Sequence, residues 1–291
     1  MANQVISSAK VKKKNNNSVL GRFVKNKLAI VGFIILLIIV LLAVLAPLIA
    51  THDYTAIDVK NADQFPSAEH IMGTDTYGRD IWSRLVYGAR YSLLIGVCAQ
   101  AVSIALGIFF GSFAGYFGGG VDNVILRICD ILQAIPGTLL AIVISQALGS
   151  GFIQTVFALS AGTIPMGVRM VRATMLSVRE QEFVEAAKAI DCGHLRIMFK
   201  HVLPNSLAPI IITASMGIGS AIMQSSGLSY LGLGIQEPAA EWGAMLSLAK
   251  AKMRYCPYQV IIPGCAIALV ILAFNLIGDG LRDALDPKLR S

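Results

Sequence analysis

The feature that most constrains this chain is a run of 23 residues, 28–50, without one charged side chain. As a helix rising 1.5 Å per residue, such a run crosses the roughly 30 Å of hydrocarbon in a bilayer. Lipid offers no hydrogen bonds, so a helix, which pairs its own backbone groups, is the conformation such a run adopts there. A basic start precedes it, as in a secretory signal. The apolar stretch is too long for a signal, and Pro47 follows Ala46 where cleavage needs a permissive residue, so the run reads as a retained anchor. Five further stretches, 91–117, 131–148, 152–168, 206–234 and 259–278, contain no Asp, Glu, Lys, Arg or His. The expected fold is therefore an all-α membrane protein with six transmembrane helices. Its parts are a basic tail (1–27), a first span (28–50), a polar segment (51–90), a membrane core (91–280) and a second tail (281–291). The gap 149–151 leaves room only for a tight hairpin, so spans three and four should be antiparallel neighbours.

Charge sets the orientation. Only 14% of the residues are charged, against about 25% in a soluble domain. The net charge of +7 could suggest nucleic acid, but seven of the 24 basic residues lie within the first 27 positions and stop where the apolar run begins. Basic residues beside a span are a topology signal and a contact for anionic lipid heads, so nucleic acid is not an expected partner. With the N-terminus inside, 17 basic residues fall in inner segments and 7 in outer ones, which puts both termini in the cytoplasm. The five cysteines show no C-x-x-C spacing, so neither a metal site nor a disulfide framework is expected.

Spans empty of ionisable groups argue against coupling to protons or sodium, because ion-coupled carriers keep such groups for function. The chain also lacks G-x-x-x-x-G-K-[ST], so it has no phosphate-cradling loop of that kind. Any energy for active transport has to come from another polypeptide. Gly107, Gly111, Gly115 and Gly119 recur every four residues, a spacing that lines them along one helix face. Close helix packing is the favoured role and a gating hinge the alternative. Ser220, Ser225, Ser226 and Ser229 fit either of two roles, lining a wet path or bonding back to helix carbonyls. Asp75, Arg79, Asp80 and Arg84 alternate carboxylates with guanidiniums and are expected to form a structural ion-pair network. A metal or catalytic role is not expected, since only His70 flanks them closely.

The segment between spans four and five carries two amphipathic patterns. Phe183, Ala186, Ala187 and Ile190 fall at i, i+3, i+4, i+7, and Leu195, Met198, Phe199 and Val202 follow at the same spacing after Asp191-Cys192-Gly193. Pro204 should end the second helix, with Asn205 or Ser206 capping the next span. Short helices are marginal alone, so these apolar stripes should dock on the membrane surface, on the protein's own helix ends, or in a groove of a soluble partner.

Glu185-Ala186-Ala187, a glycine several residues on, and Val202-Leu203-Pro204 resemble the EAA motif of ABC importer permeases. Gly73-Thr74-Asp75, Gly78-Arg79-Asp80, Gly115-Tyr116-Phe117-Gly118-Gly119, Leu228-Ser229-Tyr230-Leu231-Gly232-Leu233-Gly234 and Asp279-Gly280-Leu281-Arg282-Asp283 are similar, in order, to the second permease of dipeptide, oligopeptide and nickel importers. The resemblance implies a type I importer permease fold in a bacterial or archaeal cytoplasmic membrane, with a coupling loop at 174–205 that fits an ATPase subunit. Within it, Glu185, Ala186 and Ala187 would shape the turn, Gly193 would stand for the family's glycine, and Leu195, Met198 and Phe199 would make contact. Pro204 would mark the return to the membrane. The family's glycine more often falls where Asp191 stands. The implied partners are a second homologous permease, two ATP-binding subunits that hold ATP and magnesium, an extracytoplasmic solute-binding protein, and membrane lipid; no cofactor is implied for this chain and no catalysis by it. Peptides are the favoured cargo, with nickel or a metal chelate as the alternative. An ion-coupled carrier and a non-transporting scaffold are the competing classes.

Overall fold

The computed structural model describes residues 19–285. Most of the basic tail, including Lys10, Lys12, Lys13 and Lys14, and the stretch 286–291 lie outside them. The described residues form helices α1 (Val19–Phe23), α2 (Lys27–Val44), α3 (Ala46–Ile49), α4 (Ile81–Phe117), α5 (Gly119–Gln133), α6 (Gly137–Leu148), α7 (Phe152–Arg179), α8 (Glu182–Ala189), α9 (His194–Ile197), α10 (Leu203–Tyr230), α11 (Trp242–Ala249) and α12 (Tyr258–Leu285), with no β-strand among them.

Helix α2 starts where Asn26 accepts hydrogen bonds from the backbone N–H groups of Leu28 and Ala29 at 3.0 and 3.1 Å. Such a cap satisfies donors that have no partner within the helix. The same side chain donates to Asp283 at 2.9 Å, pinning the start of α2 to the end of α12. Beyond the cap α2 is apolar all round and only Ala29, Gly32 and Ala43 are buried, so its outer face suits a lipid environment.

Helix α4 is the axis of the molecule. It begins ten residues before the expected span because Asp80 caps it, accepting from Ser83 N–H at 2.8 Å. Its 37 residues give a length of about 55 Å, more than hydrocarbon requires, so both ends project. Helix α7 packs along it, and here the glycines matter. A Cβ on Gly111 would meet the Val168 carbonyl at 2.6 Å, and one on Gly115 the Arg172 carbonyl at 2.7 Å; Gly107 faces the backbone of Gly167. Gly119 does not share this face. It follows the end of α4, adopts φ +55°, and has nothing near its Cβ position.

Several expected boundaries move. The stretch 131–148 is not one helix: α5 and α6 meet at an 80° bend across residues 134–136. Pro136 lies in the break, as its missing N–H and ring geometry require. The expected connection 118–130 is largely helical, as α5. Helix α7 continues past Val168 to Arg179, and its Arg169 and Arg172 pair with Asp130 and Asp122 on α5. Pro204 does not end a helix either: the chain is helical without interruption from His194 to Tyr230. A π turn at Met198–Val202 precedes Pro204, with Leu203 N–H reaching back to the Met198 carbonyl. Asn205 and Ser206 do not cap; their side chains donate to the carbonyls of His201 and Val202 at 2.7 and 2.9 Å. Those bonds occupy carbonyls in the turn beside the proline, which has no N–H to offer.

Four helical stretches, Lys27–Val44, Ile81–Phe117, His194–Tyr230 and Tyr258–Leu285, are long and apolar enough to cross a membrane, and the bent pair α5–α6 makes up to five. Helix α7, with three arginines in its C-terminal half, is not among these.

Candidate functional site

Two clusters sit at opposite ends of α4. At its C-terminal end, α8 and α9 form a short hairpin. The hairpin core is Val184, Ala187, Ile197, Met198 and Val202, packed on Tyr116 of α4 and on Val171, Met175 and Val178 of α7. Arg179 donates to the Tyr116 carbonyl at 2.8 Å, Tyr116 Oη and His194 Nδ1 lie 3.2 Å apart, and the Phe113 and Phe199 rings meet edge-on with centroids 6.5 Å apart. The hairpin is thus keyed to the ends of both long helices.

The buried face of α8 differs from the expected stripe. Val184 and Ala187 point inward, while Phe183, Ala186 and Ile190 face out, Ile190 with 75% of its surface exposed. Of the eight residues carried over for coupling, Ala187 and Met198 belong to the core; Glu185, Ala186, Gly193, Leu195, Phe199 and Pro204 are exposed. The turn is built by Asp191 and not by Gly193. Asp191 holds φ +57°, its N–H bonds the Lys188 carbonyl at 2.9 Å, and Cys192 N–H bonds the Ala187 carbonyl at 3.2 Å. This is the Schellman closure of a helix C-terminus, which needs a left-handed residue at the position of Asp191. Gly193, at φ −59°, has an ordinary backbone.

At the other end of α4, Arg79 Nε donates to Asp75 at 2.7 Å, and Arg84 Nε lies 3.5 Å from the same carboxylate. Both guanidiniums also reach Glu237, Arg84 at 3.0 Å. Burial pulls the Arg79 pKa down, but the bonds and charges of Glu237 and Asp75 outweigh it and hold the group above its ordinary value. Asp80 stands apart from the arginines, accepting from Ser83 and paired with His70 at 3.0 Å. Glu237 went unread in the sequence because its partners lie some 150 residues away. Glu241 was missed for the same reason. It is fully buried, caps α11 by accepting from Ala244 N–H at 2.8 Å, and approaches Ser92 of α4 at 3.4 Å. Burial pushes its carboxyl above the ordinary range, against the opposing bond from Ala244 N–H. Trp242 next to it donates to the Leu85 carbonyl at 2.9 Å, locking α11 on α4.

The serines of α10 divide. Ser220 is exposed, and Ser225 and Ser226 are buried with hydroxyls that meet no hydrogen-bond partner. Among the described residues, the serines of this helix that bond back are Ser206, to the Val202 carbonyl at 2.9 Å, and Ser215, to the Ile212 carbonyl at 2.8 Å.

Residues 107–291 match the family described as binding-protein-dependent transport system inner membrane component, and residues 17–66 match the N-terminal TM domain of oligopeptide transport permease C. The chain is 48% identical to a dipeptide transport system permease protein from Alkalihalophilus pseudofirmus, over 92% of this chain and 88% of that one. It is 41% identical to an oligopeptide transport system permease protein from Bacillus subtilis, over 92% and 88%. A glutathione transport system permease protein from Escherichia coli is 42% identical over 92% and 89%. Among solved structures, an inward-facing MetNI methionine ABC transporter chain superposes with a TM-score of 0.58 at 18% identity, covering 70% of this chain and 97% of that one, which shows a shared fold. A bundle braced on two long helices, with a keyed hairpin at one end, together with these matches makes this chain a member of the family of inner membrane components of binding-protein-dependent transport systems.

Proposed function

We propose that this chain is one permease half of an ATP-driven peptide importer. The observation that carries the reading is the run of relatives named for dipeptide, oligopeptide and glutathione transport across 92% of the chain. Those names favour peptides over nickel or a metal chelate as cargo. The chain would pair with a second permease and two ATP-binding subunits that hold ATP and magnesium, and receive solute from an extracytoplasmic binding protein in a bacterial or archaeal cytoplasmic membrane.

Six crossings fit this reading: α2, α4, the α5–α6 pair, α7, α10 and α12, with both termini in the cytoplasm. The hairpin at 182–202 then lies inside and the Asp75–Glu237 cluster outside. Phe183, Ala186, Ile190, Leu195 and Phe199 are exposed apolar side chains on a hairpin whose other face is locked to α4 and α7. An ATPase cleft that grips this outer face would move both long helices together. Glu185 would contribute charge recognition at its edge, while Ala187 and Met198 hold the hairpin to the bundle.

Phe199→Ala and Glu185→Lys are expected to reduce recovery of the ATPase with the purified complex and to lower ATP-dependent uptake of a labelled dipeptide, with membrane insertion unchanged. Unlabelled dipeptide should compete for uptake and nickel salts should not. Unchanged ATPase recovery and uptake in both variants would overturn the docking role, and competition by nickel alone would overturn the cargo.

A further inference from the structure

The chain has four histidines, and the fold brings two of them to one carboxylate. His70 Nδ1 lies 3.0 Å from Asp80 Oδ1, His52 Nδ1 lies 3.8 Å from the same oxygen, and the two imidazole centroids are 4.6 Å apart. One donor atom from each residue falls within 4.8 Å of the others, the sole such trio among the described residues. We infer that His52, His70 and Asp80 form a binding site for a borderline divalent transition-metal ion of the zinc type.

Two imidazoles and a carboxylate are a donor set that zinc takes, with an open fourth position for water. Zinc–ligand bonds of about 2.0–2.1 Å in a tetrahedron place ligand atoms roughly 3.3 Å apart, so His70 and Asp80 are already close to that spacing. His52 has to close by less than an ångström toward Asp80, and its side chain, 36% exposed, would give up its Thr51 contact to do so. The exposed side of His52 is also where an ion and a water would enter, since the side chains of His70 and Asp80 are only 7% and 0% exposed.

Each donor is positioned by a second contact, as built metal sites are. Asp80 Oδ2 accepts from Ser83 N–H at 2.8 Å and Ser83 Oγ at 2.7 Å, which leaves Oδ1 turned toward the imidazoles. The same Ser83 hydroxyl accepts from the His52 backbone N–H at 3.0 Å. His70 sits in a tight turn, its N–H bonded to Ser67 Oγ at 3.0 Å and its carbonyl accepting from Gly73 N–H at 2.9 Å. A shared proton between His70 and Asp80 accounts for those two groups. It leaves the His52 imidazole aimed at the same oxygen from beyond hydrogen-bond range, with Thr51 Oγ1 at 3.0 Å as its partner. A dication satisfies all three. Bound there, it would staple residues 51–52 and the turn at 70 onto the N-terminus of α4, independently of what the protein transports.

The test uses the full-length chain without a histidine tag, in lipid nanodiscs, stripped with chelator and re-equilibrated with zinc. The expected result is one zinc per chain by elemental analysis after gel filtration. Cobalt in its place should give the visible absorption of a tetrahedral N,O site. His52→Gln and His70→Gln should each lose that equivalent and the cobalt spectrum, and zinc should raise the unfolding temperature of the parent but of neither variant. His52 is the most exposed of the three, so His52→Gln decides the question even if His70→Gln folds poorly. No retained metal in the parent, or retention unchanged by His52→Gln, would overturn the site.

Discussion

Single residues separate two uses of glycine that share one spacing. Gly107, Gly111 and Gly115 let α4 lie against α7, whereas Gly119 serves a left-handed backbone beyond the helix end. Gly111→Val should force the helices apart and cost about 1–3 kcal/mol by overpacking. Gly119→Ala should cost about 1 kcal/mol through its backbone alone, and leave α4–α7 distances unchanged. Thermal unfolding and cross-linking between α4 and α7 check the pair. Glu241 supplies a pH-dependent case. Its folded pKa is raised by burial, so between its ordinary value and the raised one the folded state binds the extra proton, and stability falls as pH climbs through that window. Glu241→Gln keeps an acceptor for Ala244 N–H and removes the charge. The variant should be at least as stable as the parent at neutral pH, and the difference should shrink on acidification. Unfolding temperatures measured from mildly acidic to neutral pH read this directly.

At the scale of elements, what the sequence disclosed depended on how local the cause was. The uncharged runs that became α2, α4, α10 and α12 are visible one residue at a time, because lipid tolerates few charges anywhere along a span. The bend at Pro136 was also written locally, though an uncharged run on both sides of it disguised it as one span. The face of α8 was not legible. Phe183, Ala186, Ala187 and Ile190 make one apolar stripe, Val184 and Ala187 another that overlaps it, and only the packing on α4 and α7 selects the second. The long-range partners Glu237 and Glu241 were invisible for the same reason, as was the approach of His52 to Asp80. The hairpin turn offers a sharp test of its geometry. Asp191 occupies a left-handed position that glycine adopts without steric cost. Asp191→Gly should therefore stabilise the protein by about 0.5–1 kcal/mol, and Asp191→Val should destabilise it by at least as much. Ile190→Glu, on the exposed face, should leave stability within about 0.5 kcal/mol while weakening ATPase recovery.

For the whole molecule, α4 links two anchored clusters, one at each of its ends. The hairpin at 182–202 is fixed to the C-terminal ends of α4 and α7; the Asp75–Arg84–Glu237 cluster, with Glu237 at the surface edge of buried Arg84, and the Trp242 contact fix the loop 231–241 and α11 to the N-terminal end of α4. A force applied to the hairpin would therefore be delivered along α4 to the opposite surface. Under the proposed function, the ATP-binding subunits would supply that force. Proteoliposome uptake tests this most directly, comparing the purified chain alone with the chain assembled with its second permease, ATPases and binding protein. The account predicts no peptide uptake by the chain alone under a proton or sodium gradient, and ATP-dependent uptake by the full assembly. Gradient-driven uptake by the chain alone would contradict it.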